Sequence, residues 1–439
     1  MSMSRPAIRV AAAVAAGLVG AAGLYAAQPL IGDAPAVPGP SRALPGDVDT
    51  TQPPPATDFD VFSWQSFVAI NSPPGSGTIG GNGDNVTVWE SAWMSDYQIL
   101  DSSTPPPWGT APAYPQGCEG GIYPPPPGTR VLAAITKGLD LASSALGPQH
   151  ATTPGNGPLI DQNGNYVRFE ILVNHDMYQY IVSNELYTKS GQSNFAPGQP
   201  ISFPLSQLNG SAEGAIMLKV AWKIMGAHDV TSQFHMAHAF VKDDSAAGGC
   251  KYVAVGLVGL HISRKTQNFP KWIWSTFEHQ ANAPTAGQTW QGPYNFNDGN
   301  AKADRSTWNQ VPVEPWKPSL RTTAPVEVVR LIPVTSSAGP VNTAYGAVLR
   351  AVNQQSVFAN YQLVGTQRPT DNNSPNDAAG DPEPQFLANT TMETFLQGDA
   401  QGNPAPGVTS NCGECHAAAT MTDMRPGDFT YILSRVTAP

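Results

Sequence analysis

The chain has 439 residues, of which only 13% are charged, and a formal net charge of −10. That acidic balance argues against nucleic acid or an anionic lipid surface as a partner. The 42 glycines and 43 prolines, about a fifth of the chain, point to a loop-rich fold, while 10 Trp, 13 Tyr and 15 Phe argue against disorder.

Residues 1–36 read as an export signal. Arg5 and Arg9 precede an Ala/Val/Leu/Gly run, and Ala34-Pro35-Ala36 offers a small-residue cleavage site. The alternative is an uncleaved membrane anchor, because the apolar run from Val10 to Ile31 is nearly long enough to span a bilayer. After cleavage no segment of the chain is expected to cross a membrane. The Pro-rich stretch 37–57 is expected to be a flexible lead-in.

A mainly β (α+β) body, sandwich-like and with long Pro/Gly loops, is expected over 58–383. It opens on "FDVFSWQSFVAINSP", whose aromatics read as packing residues. Long loops follow at 72–86 and 104–128. "NHDMYQYIVSNELYTKSG" has helical spacing at Met177, Tyr180, Ile181 and Leu186. The middle of the chain reads as strand in "EGAIMLKVAWKIM", "QFHMAHAFVKD", "CKYVAVGLVGLHISRKT" and "KWIWSTFEHQ", with "VEVVRLIPVTS" continuing the pattern. "YVAVGLVGLHI" is apolar on both faces and is expected to be a central, buried strand. "YGAVLRAVNQQSVFANYQLVG" reads as helix, then extended.

Residues 384–439 change character and are expected to form a small helical segment. "PQFLANTTMETFLQG" places Phe386, Met392, Phe395 and Leu396 on one helical face. "GDFTYILSRV" offers Asp428 as an N-cap, then Phe429, Ile432, Leu433 and Val436 at i, i+3, i+4 and i+7. Between them lies "SNCGECHAAAT", in which Cys412, Cys415 and His416 have the order C-x-x-C-H.

That order is the attachment signature of c-type haem. Two thiols one helical turn apart can each add to one haem vinyl group, and the adjacent imidazole then ligates the iron from the proximal side. A zinc site would need two further ligands, and the chain has no second C-x-x-C or C-x-x-H. Ser410 or Asn411 is placed to cap the short haem helix. With two cysteines given to one covalent haem c, Cys118 and Cys250 remain. In an oxidising compartment such a pair suggests a disulfide, with two separate buried thiols as the alternative.

The distal face of the haem is not specified by spacing. Met421 and Met424 follow His416 too closely to reach the opposite face with ease. His279 and His261, at the ends of aromatic and apolar strands, are candidate distal ligands, as is Met424. His235 and His238 stand at i and i+3 in a strand pattern, which points them to opposite faces and disfavours a shared metal. His175 and His228 each precede Asp, a pairing that can orient an imidazole.

"GLVGLHISRKT" and "FPKWIWSTFEHQANAP", with the late C-x-x-C-H and the "DFTYIL" ending, resemble a group of exported bacterial mono-haem cytochrome c family proteins. The resemblance covers roughly residues 57–435, and Trp274 to His279 is its most specific part. It implies Cys412, Cys415 and His416 as haem attachment residues, and a role for the stretch from His261 to His279. The leading expectation is electron transfer outside the cytoplasm, in the periplasm or beyond, with a redox protein as partner. The alternatives are a haem enzyme of peroxidase or oxygenase type with an open distal site, and a haem-linked ligand-binding or sensing module.

Overall fold

The computed structural model describes residues 35–75, 79, 86–136, 139–140, 158–196, 199–210, 212–243, 245–312, 324–373, 377–399, 401–407 and 410–439. The export segment expected over 1–36 lies outside these residues, apart from its last two. Among the described residues, no helix is long and apolar enough to cross a membrane.

The elements run α1 (Ala56–Ile70), α2 (Val88–Ala92), β1 (Met94–Ser95), α3 (Asp96–Leu100), β2 (Arg130–Leu132), β3 (Ala134–Thr136), β4 (Leu139–Asp140) and β5 (Arg168–Val173). They continue with α4 (His175–Ser183), α5 (Lys189–Asn194), β6 (Ile216–Ile224), β7 (Met236–Lys242), β8 (Cys250–Arg264) and β9 (Ile273–His279). Last come α6 (Ala338–Val352), β10 (Tyr361–Pro369), β11 (Pro382–Glu383) and α7 (Cys412–Ala417). This is the mainly β body with a small helical C-terminal segment that composition and patterning led us to expect.

The strands form one eleven-stranded sheet, with the path β11-β10-β9-β8-β6-β5-β3-β4. β8 is its centre. Its second half lies between β6 and β9, and its first half pairs with β7. Its second half is buried almost throughout, as the apolar pattern of "YVAVGLVGLHI" anticipated. The sheet also curls on itself. β2 pairs in parallel with β7, while β3, one residue later in the chain, pairs with β5. The path β7-β8-β6-β5-β3 therefore returns to β7 at one end.

Alternation gives the sheet two different faces. One face, carrying Leu218, Val220, Trp222, Leu260, Ile262, Phe277 and Leu363, is covered by α1 and α6. Trp64 of α1 stacks on Tyr345 of α6 (centroids 5.1 Å, 8° between planes), and Phe67 stacks on Phe277 at 4.4 Å. α1 is buried along most of its length, which is why "FDVFSWQSFVAI" is apolar almost all round. The other face, carrying Gly259, His261, Ser263, Trp274, Thr276 and Glu278, receives the C-terminal segment.

Three expectations are corrected by packing. The stretch 37–57 is tied down: Arg264 Nη1 donates to the Pro45 carbonyl (2.7 Å), and Asn268 N donates to Asp47 Oδ2 (2.7 Å). Residues 386–396 form only a 3₁₀ turn at Thr394–Leu396. Their polar side chains have stronger partners than a helix would offer. Glu278 accepts from Thr390 N (3.0 Å) and Thr390 Oγ1 (2.7 Å), and Asn389 Nδ2 donates to Thr276 Oγ1 (2.9 Å). The strap lies directly on the backbone of β8, and a Cβ at Gly259 would come within 2.2 Å of Thr391 Oγ1. Finally, "VEVVRLIPVTS" makes only isolated bridges, such as Thr285 with Arg330.

Cys118 and Cys250 are joined by a disulfide. It closes a loop with a sequence separation of 132, large enough to restrict the unfolded chain strongly. Replacing both by serine is expected to cost about 2–5 kcal/mol, read from urea unfolding of the two forms. An unchanged unfolding free energy would mean that the loop is already constrained when unfolded.

Candidate functional site

The site is built on α7. Asn411 caps it, its side chain accepting from Glu414 N (3.0 Å), as the sequence anticipated for this position or Ser410. Cys412 and Cys415 stand at i and i+3, so both thiols lie on one side of the helix. Both residues are half-buried. The helix start is docked on the sheet edge, where Gly413 N donates to Gln367 Oε1 of β10 (2.8 Å). A Cβ at Gly413 would stand 3.1 Å from Pro382, so this close approach favours glycine.

His416 Nδ1 lies 2.8 Å from the Phe429 carbonyl oxygen. A carbonyl can only accept, so Nδ1 carries a proton, and in the neutral ring Nε2 is the electron-pair nitrogen. That is the tautomer a metal-ligating imidazole needs, with its orientation set by the second bond. The acceptor is held by an unusual backbone. Asp428 (φ 49°) and Phe429 (φ 63°) are both left-handed, although neither is glycine. Such residues cost on the order of 1–3 kcal/mol each and cluster at functional sites.

Asp428 was expected as a helix N-cap. Instead its carboxylate pairs with Lys265 and accepts from Phe203 N (2.7 Å), which leaves only a 3₁₀ turn at Tyr431–Arg435. Burial pushes the Asp428 carboxyl up, against the pull of Lys265.

The imidazole is walled by aromatics. Trp274 of β9 lies 4.4 Å from it, and Tyr431 lies 5.5 Å away on an inclined plane. Tyr431 Oη donates to the Cys415 carbonyl (2.6 Å), and burial pushes that hydroxyl up to about 12, so it stays protonated. Trp274 is 5% exposed, and its Nε1–H has no hydrogen-bond partner among the described residues. Leaving an indole N–H unsatisfied costs about 1–3 kcal/mol.

The donor set therefore fits covalent haem. It comprises two thiols on one helix face, an imidazole in the ligating tautomer, and a buried donor in the adjoining wall. Cys412, Cys415 and His416 would hold the group.

The distal candidates are placed differently. Met424 is 76% exposed on a left-handed turn (φ 69°), whereas Met421 is buried among Trp272, Trp274 and Leu433. His261 is on the same sheet face as Trp274, opposite Thr276, with Nε2 3.3 Å from Glu393 Oε2. His279 lies five residues beyond Trp274 on β9, about 16 Å along the strand. Both its nitrogens have protein partners. The Gln233 carbonyl takes a hydrogen bond from Nε2 (3.0 Å), and Nδ1 accepts from Ala281 N (3.1 Å). His279 is thus committed to the body rather than presented to α7.

Burial of His279 depresses its pKa from 6.5 to about 4. Between those values the unfolded chain binds a proton that the folded protein does not. Stability is then expected to fall as the pH drops from about 6.5 to about 4, by about 3 kcal/mol in all. His279→Gln should flatten that part of the stability profile. An equal slope in both proteins would refute the assignment.

The remaining histidines do not join the site. His235 faces the α1 side, 3.0 Å from Glu90 Oε2, while His238 stacks on Tyr252 on the opposite face. Burial drives the Glu90 carboxyl up, but His235, the Thr87 backbone N–H and Arg130 together outweigh it and hold the group below the usual carboxylate range. His175 and His228 are exposed. Among the described residues no group of three or more His, Cys, Asp or Glu could hold a metal ion. The role of Trp274 as a neighbour of His416 was not legible from spacing, although it lies in the most specific part of the resemblance.

No protein-family model, no curated protein and no solved structure matches the chain.

Proposed function

We propose that this chain is a c-type cytochrome carrying one covalent haem c and passing electrons outside the cytoplasm, with a redox protein as partner. The observation that carries this reading is the bond from His416 Nδ1 to the Phe429 carbonyl, on the same helix as Cys412 and Cys415. When bound, haem supplies reversible one-electron chemistry. The chain's residues anchor, orient and shield it. Asn411 and Gln367 hold the helix, the Phe429 carbonyl orients the imidazole, and Trp274 and Tyr431 flank it. The Cys118–Cys250 disulfide supports an oxidising compartment, where such bonds persist and where c-type haem is attached.

The test is a visible spectrum of protein made with haem-maturation machinery, oxidised and reduced, followed by carbon monoxide. Low-spin bands unmoved by carbon monoxide support electron transfer through a six-coordinate iron. His261→Ala then asks whether that residue supplies the sixth ligand. A high-spin spectrum shifted by carbon monoxide would replace the carrier reading with a haem enzyme or gas-binding module. Absence of covalent haem would overturn the proposal.

A further inference from the structure

We infer that Trp274 binds a haem propionate through its indole N–H, and so sets the redox potential of the group it backs. This rests on the covalent-haem reading above. Three observations lead to it: the state of the residue itself, the wall around it and the nearby cations. Trp274 touches His416 at 4.4 Å between ring centroids, is 5% exposed, and has an Nε1–H with no acceptor among the described residues. The surrounding wall is apolar, including Met421, Ile432, Leu433 and Phe429, so a side-chain acceptor would have to come from elsewhere.

The third observation concerns the cations. A haem joined through its vinyl carbons at Cys412 and Cys415 still carries two carboxylates on the other half of its ring. Arginine and lysine are the usual partners for such anions. Around this segment they are already committed: Lys265 to Asp428, Arg425 to Asp423 and Arg435 to Asp96. A buried neutral donor is then the residue placed to take a carboxylate. The indole N–H is donor-only, and its bond would favour the charged form of the propionate.

Trp274 acts here as a positioning residue, so the test uses spectroscopic and redox readouts on the full, haem-loaded chain. Covalent haem is first verified by mass and by the alkaline pyridine spectrum. In the reduced wild type with isotopically labelled tryptophan, the Trp274 Nε1–H is expected to show cross-relaxation to propionate methylene protons and slow exchange with solvent. Trp274→Phe is expected to shift the propionate bending band in the resonance Raman spectrum. It should also lower the midpoint potential, because the carboxylate charge is less compensated. Trp308→Phe, at a buried tryptophan outside this cluster whose indole N–H is likewise unpartnered among the described residues, should leave both unchanged.

An indole proton that exchanges fast and relaxes only to water would overturn the inference while leaving the haem reading intact. So would an unchanged Raman band and potential in a folded Trp274→Phe protein. If that variant does not fold, the wild-type proton spectrum decides alone. Haem that is not covalently bound would overturn both.

Discussion

A protein carrying Cys412→Ser and Cys415→Ser emerges from haem-maturing cells with no haem that survives denaturation and acid extraction, whereas the wild type keeps its visible spectrum through both. The reason is geometric. Thioether bonds need two sulfurs one turn apart on one face, and α7 holds Cys412 and Cys415 in that relation. Serine is close in size but does not add to a vinyl group under the same conditions. Each single variant should retain one thioether and show a shifted pyridine spectrum, which separates loss of attachment from loss of folding. His416→Ala makes the complementary case: attachment persists and the axial bands change. Extractable haem in the wild type would end the cytochrome reading, and attachment in the double variant would place the linkage elsewhere.

Arg330→Met is expected to destabilise the protein by about 3–5 kcal/mol. Arg330 and Glu278 form an ion pair, and both are buried at 2% exposure. The pair is also the clasp between the sheet and the C-terminal strap. Glu278 accepts from Thr390 at two positions, while Arg330 Nη1 donates to the carbonyls of Ala388 (3.1 Å) and Ile332 (3.3 Å). Removing the guanidinium strands a carboxylate in the interior and leaves two carbonyls short of a donor. The double variant Arg330→Met with Glu278→Gln should recover part of the loss, because the uncompensated charge is gone. Urea unfolding followed by tryptophan fluorescence measures all three proteins. A cost below about 1 kcal/mol for the single variant would mean that the pair is solvated.

Much of the body was legible in the sequence because its signals are local. The runs that became β6, β7, β8 and β9 are short, apolar and bounded by turn residues, and those that became α4 and α6 keep helical spacing. Cysteine arithmetic anticipated the Cys118–Cys250 bond. The misread segments are those in which a distant partner outbids a local one. Phe386 to Leu396 keeps an apolar helical pattern, yet Asn389 and Thr390 bond across more than a hundred residues of sequence to Thr276 and Glu278. Asp428 has the composition of a cap, and Lys265 takes it. His279, at the end of its strand, was one of several distal candidates that spacing could not separate. Only the fold shows Gln233 and Ala281 meeting its ring.

By itself the sequence determined the chemistry on offer. The order and spacing of Cys412, Cys415 and His416 prescribe two thiols and an imidazole on one short helix, since that arrangement depends only on helical geometry. The tertiary structure decided what surrounds them. His416 meets the Phe429 carbonyl 13 residues along the chain, through a left-handed turn that Lys265 helps to hold, and Trp274 reaches it from the sheet. The contacts of Trp274 and Lys265 join segments more than a hundred residues apart, and the left-handed turn follows no helical repeat, so no local periodicity encodes them.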